Sequence, residues 1–216
     1  MRAVQKLPKP DVLAQNEHQW LEDFMADRQN ATKRNRYRHQ EIKATLRQET
    51  FRKCVYCESK LGHNTPGDVE HKIPTSKVPQ LHFTWENLTL ACTECNRRKN
   101  NYYEESEGFL DPYVDDVLQI LDHHGPVVTW RAGDVRGEVF VGTLELCSES
   151  RAPLIARKIE KINQLTHVLE RYLAATDELM KGLLGRQIRD MASPSSEFSA
   201  MVLATVVRKG FGHLLQ

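Results

Sequence analysis

What this sequence lacks narrows it first. Lys and Arg number 30 against 29 Asp and Glu, a net charge of +1, so the chain as a whole shows no electrostatic sign of a polyanionic partner and any such argument must be local. No apolar stretch follows the opening MRAVQKLPKPDVLAQ, and the longest apolar run, MVLATVV at 201–207, falls far short of the ~20 residues that cross a bilayer. The expectation is a cytoplasmic protein without membrane contact. No phosphate-binding loop of the GxxxxGK[ST] type occurs, so any nucleotide dependence has to come from a partner. Internal repeats and low-complexity tracts are absent too. What remains is a chain of 216 residues, 40% hydrophobic, able to bury the core of one compact domain or two small ones.

Cysteine is scarce, five in all, yet four are paired. Cys54 and Cys57 form one CxxC, and Cys92 and Cys95 form another. Two disulfides or buried thiols are the plainer reading. Paired spacing in a chain expected in a reducing compartment favours a tetrahedral Zn2+ site, each turn giving two thiolates. Four sulfur ligands leave no open position, so such a zinc is structural and any catalysis sits elsewhere.

Between the pairs lie DVEHKIP and, overlapping the second pair, ENLTLACTECNRRK. An acidic residue stands directly before a His, a Pro follows three residues later, and Asn87, Asn96 and Lys99 come in order. At these residues the sequence resembles the HNH endonucleases, the ββα-metal family, in the variant stapled by two CxxC pairs. The resemblance covers about a fifth of the chain. It implies that His71 is the general base that activates water, and that Glu70 and Asn96 hold a catalytic Mg2+ or Mn2+. It further implies that Asn87 orients the loop and the His71 ring, and that Lys99 contacts phosphate beside the metal shell. The chemistry suits these residue types. Imidazole is a base matched to neutral pH, and a hard cation takes oxygen ligands while keeping waters and phosphate oxygens in its shell. The family more often has Asp before the His, so the longer Glu70 leaves open whether it or Asp68 reaches the ion. Asn96 stands where the family's name implies His, which favours Mg2+ over softer metals. His63 and His82 match no motif position and read as loop or packing residues.

The flanks carry local charge. Arg28, Lys33, Arg34, Arg36, Arg38, Lys43, Arg47, Arg52 and Lys53 face only Glu41 and Glu49, a footprint suited to a DNA backbone, with a solvated helix face as the plainer alternative. Arg34, Arg36, Arg38, Lys43 and Arg47, with Arg97 and Arg98 beyond the second CxxC, are the candidate nucleic-acid contacts. From Glu104 to Asp122 the sign reverses, with seven acidic residues and no Lys or Arg. That surface faces away from DNA or toward a basic partner, and Asp111, Asp115 and Asp116 read as the start of a helix after Pro112.

Helical spacing of Trp20, Leu21, Phe24 and Met25 predicts an amphipathic helix between Asn16 and Asp27, its aromatics in the core. VVTW and EVFVGTLEL around the turn-rich RAGDVRG predict a β-hairpin, with His123 and His124 as exposed turn residues and Cys147 as a buried thiol. Residues 151–190 predict one long helix or two joined near Gly182 and Gly185. A last helix should open at SPSSEFSAM under serine caps.

These features give an α+β protein in three parts. A basic helical segment (1–50) precedes a zinc-bound nuclease module (51–110), and a hairpin with helices (111–216) follows as a docking region. The layout of the opening, the FLDPYVDD segment and the LIARKIEKINQL helix also resembles the HNH nuclease subunits of the Septu and retron-associated anti-phage systems, the PtuB family. That resemblance implies an ABC or SMC-type ATPase partner, PtuA-like. The alternatives are a restriction or homing-type nuclease, and a zinc-ribbon module that binds DNA or protein and cuts nothing.

Overall fold

The computed structural model describes residues 2–62, 66–105 and 108–215; His63 and Glu107 lie outside them. Prolines keep residues 2–10 extended, and Pro10 caps the first helix, α1 (Asp11–Ala26), which begins earlier than its apolar spacing predicts. Leu13 and Phe24 on its inner face are buried. The Asn30 side chain accepts from the Thr32 and Lys33 amides and starts α2 (Ala31–Arg34), which runs through a 3-10 turn, Asn35–Arg38, to α3 (Gln40–Glu49).

Strands β1 (Asp68–His71) and β2 (Leu88–Ala91) pair antiparallel, with Glu70 opposite Thr89 and His71 opposite Leu88. The helix α4 (Thr93–Lys99) follows directly. This is the ββα order that the resemblance implies. Phe83, Trp85, Leu88 and Leu90 are buried beneath the strands against Ile42 and Leu46 of α3. The extended lead-in clamps over them: Trp85 Nε1 donates to the Leu7 carbonyl at 2.7 Å, and Lys6 Nζ donates to the Leu88 carbonyl at 2.6 Å and to Glu49 at 3.1 Å. Residues 2–10 are therefore part of the module's packing.

The C-terminal part comprises α5 (Val117–Ile120), β3 (Leu121–His124), β4 (Val127–Trp130), α6 (Val135–Thr143), α7 (Ala152–Ala174), α8 (Glu178–Ala192) and α9 (Ser199–Arg208). The predicted hairpin exists but is differently built. VVTW is β4, and its partner is β3 across Gly125 and Pro126, with Leu121 opposite Trp130. EVFVGT is helical, in α6. Asp134 caps α6 by accepting from the Gly137 amide at 2.8 Å, and Gly137 lies so close to Trp130 Cβ that an added Cβ would meet it at 2.7 Å. An alternating apolar stretch can serve either period when one glycine sets the packing distance.

Consequently His123 is a buried strand residue rather than an exposed turn residue, while His124 faces outward. Cys147 is half-buried, its Sγ at 3.1 Å from the Val128 amide. The break between α7 and α8 falls at residues 175–177, where Asp177 caps α8, and not at Gly182 or Gly185. No serine caps α9. Phe198 takes the left-handed conformation before it, and Glu58 reaches over from the first CxxC turn to accept from the Ala200 amide at 3.1 Å and the Ser199 hydroxyl at 2.9 Å. The acidic segment is partly consumed within the fold, for Asp111 pairs with Lys72 and Asp115 with Arg136, while Glu104, Glu105, Asp116 and Asp122 are exposed. Asp116 precedes the short α5 without a side-chain capping bond, and that helix starts later than expected.

Among the described residues no helix is long and apolar enough to cross a membrane.

Candidate metal centre and active site

The frame comes first. The Sγ atoms of Cys54, Cys57, Cys92 and Cys95 all lie within 4.8 Å of one another, which brings both predicted pairs onto one point. Each pair sits in a turn that local chemistry shapes. The Cys54 carbonyl accepts from the Glu58 amide at 3.0 Å, and Cys92 Sγ caps α4 by accepting from the Cys95 amide at 3.3 Å. Burial pushes the Cys54 thiol up, while hydrogen bonds to Cys54 and Cys92 hold the Cys57 thiol down; a bound cation would hold all four as thiolates. Four closely spaced sulfurs fit Zn2+ and leave no open position. A further neighbour was invisible in the sequence: buried Arg151, ahead of α7, points Nη2 at Cys95 Sγ from 3.3 Å. Such a contact offsets the net negative charge of a four-thiolate zinc.

Because Cys92 fixes the start of α4 one residue beyond β2, the helix lies against β1 and an open groove of about 390 Å³ forms between them. Asp68, Glu70, His71 and Asn96 all line it. Asn96 Nδ2 is 3.5 Å from Asp68 Oδ2. Glu70 is buried, and its Oε1 accepts from Lys99 Nζ at 2.7 Å. Burial raises the Glu70 pKa and the Lys99 ammonium opposes that rise. Lys99 itself is 1% exposed, set beneath Glu70 and donating also to the His71 carbonyl at 3.0 Å, instead of standing on the open rim. Two carboxylates and one amide form a hard oxygen set that fits Mg2+ or Mn2+ with room for waters.

His71 is held from three sides. Its Nε2 lies 2.9 Å from the His82 carbonyl oxygen. A carbonyl can only accept, so Nε2 carries the hydrogen and Nδ1 keeps the lone pair. The His82 ring stacks on it at 4.7 Å, and Tyr37 meets it edge-on at 4.6 Å. Burial, then the neighbouring His82, drive the His71 pKa down to about 3, so the ring is neutral at physiological pH.

Both His82 nitrogens are engaged, Nε2 with the Arg34 carbonyl at 2.8 Å and Nδ1 with the Thr75 hydroxyl at 2.8 Å, and Phe24 stacks on its far face at 4.1 Å. His82 is thus a packing residue, as its place outside the motif implies, although its carbonyl orients His71. Burial lowers the His82 pKa. As pH falls below 6.5, the unfolded chain takes up a proton that folded His82 refuses, so His82 costs stability progressively in acid. We expect the melting temperature of zinc-saturated protein to fall between about pH 7 and pH 5, and more shallowly for His82→Gln. Equal slopes in the two proteins would refute this.

Asn87 stands away from the groove. Its Oδ1 accepts from the Ile73 amide at 2.7 Å, and its Nδ2 donates to the Ile73 and Leu81 carbonyls at 3.0 and 3.1 Å. It ties both ends of the loop that presents the His82 carbonyl. Asn87→Ala strands three part-buried backbone groups and should cost about 2–3 kcal/mol, read from urea unfolding at constant slope. A loss under about 1 kcal/mol would mean that water replaces the amide.

The basic candidates divide. Arg38 and Arg97 are exposed and border the groove, although Arg97 also pairs with Glu94 at 2.9 Å. Arg34 is exposed away from it. Arg36 is held by Asp23 at 2.6 Å, and Arg98 by Glu94 and Glu145. Lys43 and Arg47 are half-buried on α3. Tyr37, Thr93, Asn100 and Asn101 also line the groove and were not singled out from the sequence. Asn100 was the most recoverable of these, because α4 needs a residue tolerant of its positive φ of 45° to stop.

Residues 54–102 match the HNH endonuclease family. The chain is also similar to two proteins named Septu protein PtuB. With that of Bacillus thuringiensis it is 29% identical over 176 residues, 76% of this chain and 68% of that protein. With that of Bacillus mycoides (strain KBAB4) it is 26% identical over 57% of this chain, and the match spans only 54% of that protein. The ββα order, the four-cysteine frame and the groove beside them agree with the family match, and residues 54–102 are accordingly an HNH endonuclease domain, carried in a chain similar over much of its length to Septu PtuB proteins.

Proposed function

We propose that this chain is a metal-dependent endonuclease that hydrolyses DNA phosphodiester bonds as the effector of an anti-phage complex. The observation that carries this reading is the neutral His71, its tautomer set by the His82 carbonyl, in one groove with Asp68, Glu70 and Asn96. A module that only bound nucleic acid would have no use for that convergence.

Within the groove, His71 Nδ1 accepts a proton from a water whose oxygen attacks phosphorus. The bond to the 3′ oxygen breaks, the new P–O bond leaves a 5′ phosphate, and the departing oxygen takes a proton from solvent. Asn96 and a β1 carboxylate would hold Mg2+ or Mn2+, which when bound stabilises negative charge on phosphate and on the leaving oxygen. Arg38 and Arg97 on the rim would position the backbone without reading sequence. The four cysteines would hold Zn2+ as a scaffold.

Similarity to proteins named Septu protein PtuB supports a place in that defence system, and with it the PtuA-like ATPase that the resemblance implies. The α7–α9 region is the proposed docking side. The test is conversion of supercoiled plasmid to nicked or linear DNA by the zinc-loaded chain, alone and with a PtuA-like ATPase, in Mg2+. Cutting that EDTA abolishes and Mg2+ restores is the expected result. Intact plasmid under every combination, with phage infection unhindered in cells carrying both genes, would overturn the proposal.

A further inference from the structure

We infer that the outer face of α8 is a docking site for a second copy of this chain, the two helices packing antiparallel about a two-fold axis at Gly182. The inference does not depend on the nuclease reading above.

A surface helix ordinarily carries one apolar stripe, and α8 carries two. Leu184, Gly185, Ile188 and Ala192 form the buried one. At about 100° per residue, Leu179, Gly182, Leu183 and Arg186 fall on the opposite side of the helix. Leu179 is 72% exposed and Leu183 47%, and Leu173, 67% exposed, stands just ahead of the turn into α8. Large apolar side chains this bare on successive turns make a patch of the kind that marks an interaction site. Nothing lies within 4 Å of a Cβ built on Gly182, so the backbone there is open to the close approach of another helix.

The charges indicate what covers this face. Glu178 and Arg186 stand four residues to either side of Gly182. Two copies packed antiparallel about Gly182 therefore bring Glu178 of each level with Arg186 of the other, and symmetry makes the contact twice. Both groups are available for it. The Glu178 side chain is 86% exposed and uses one oxygen on Lys181 at 3.1 Å, and Arg186 is exposed with no acidic partner among the described residues. A partner of unrelated sequence would need complementary charges of its own, whereas a second copy carries them already. The exposed Val207 lies on α9, which remains for the ATPase proposed above.

Sedimentation of the zinc-loaded full chain from about 5 to about 500 µM should show a reversible monomer–dimer equilibrium, as small interfaces give. Leu179→Gln should leave the chain monomeric. Glu178→Arg and Arg186→Glu should each weaken association at least about tenfold, because symmetry sets every like-charge contact twice. Mixing these two variants should restore association to within about threefold of wild type, since both contacts are attractive in the mixed pair. Zinc content and circular dichroism check that each variant is folded. Monomer throughout the wild-type series overturns the inference, as does undiminished association in both charge variants or a mixture that associates no better than its components. A monomeric wild type whose capture of a PtuA-like ATPase is lost in Leu179→Gln assigns the stripe to that partner instead.

Discussion

A His71→Ala chain should fold, bind zinc and leave plasmid intact. Loss of a positioned general base lowers rates by about 10² to 10⁴, and His82, the ring stacked on it, cannot take its place, since both its nitrogens are already bonded. The structural cost should be small. His71 is half-buried, its Nε2 makes one bond to a carbonyl, and an orphaned acceptor at a groove that admits water costs about 1 kcal/mol. Activity and stability therefore separate: single-turnover cutting falls by orders of magnitude while the melting curve barely moves. His71→Asn is the stricter form, because it keeps a polar group near the carbonyl without a base of useful strength. Cutting by His71→Ala within about threefold of wild type would remove the base from the mechanism.

Cys92→Ser should do the opposite, taking the fold and the function together. Serine is itself a good helix N-cap, so the substitution can preserve the contact that Cys92 Sγ makes to the Cys95 amide while removing one of four thiolates. Any large loss then reports metal ligation and not capping. Structural zinc sites contribute on the order of 10 kcal/mol, comparable to the whole stability of a domain, about 5–15 kcal/mol. The damage should spread beyond the turn. Arg151 leans on Cys95, and Glu58, next to Cys57, caps α9, so the C-terminal helices lose two anchors as well. We expect zinc content near zero, early proteolysis across residues 53–99, and a chelator that brings wild type to the same state. Wild-type melting behaviour in Cys92→Ser would show that the cysteines are packing residues.

What could be read in advance follows the range of the interactions. The two CxxC turns were legible because a metal constrains spacing at its ligands, and those residues met within 4.8 Å. Asn87, expected to orient the loop and the His71 ring, bonds three backbone groups of that loop in the structure, contacts that no sequence spacing states. The hairpin went to the wrong strands because an alternating stretch such as EVFVGT carries no local statement of its partner. The serines before α9 looked like caps, but Glu58, far away in sequence, does that work. Arg36 and Arg98 pair with Asp23 and Glu145, partners set by helix packing, whereas the Glu94 partner of Arg98 lies one helical turn away in the sequence.

The sequence by itself determined the α+β class, the four-cysteine frame and the order of the motif residues, because cysteine spacing and motif order are local properties of the chain. Only the tertiary structure decided which nitrogen of His71 is free, that Lys99 faces inward to Glu70, and that Asp68 stands by Asn96. The first depends on the loop that presents the His82 carbonyl, and the other two on the angle at which α4 crosses β1. That angle is set by sulfur atoms 35 residues apart and by the packing beneath them, and no window of sequence contains it.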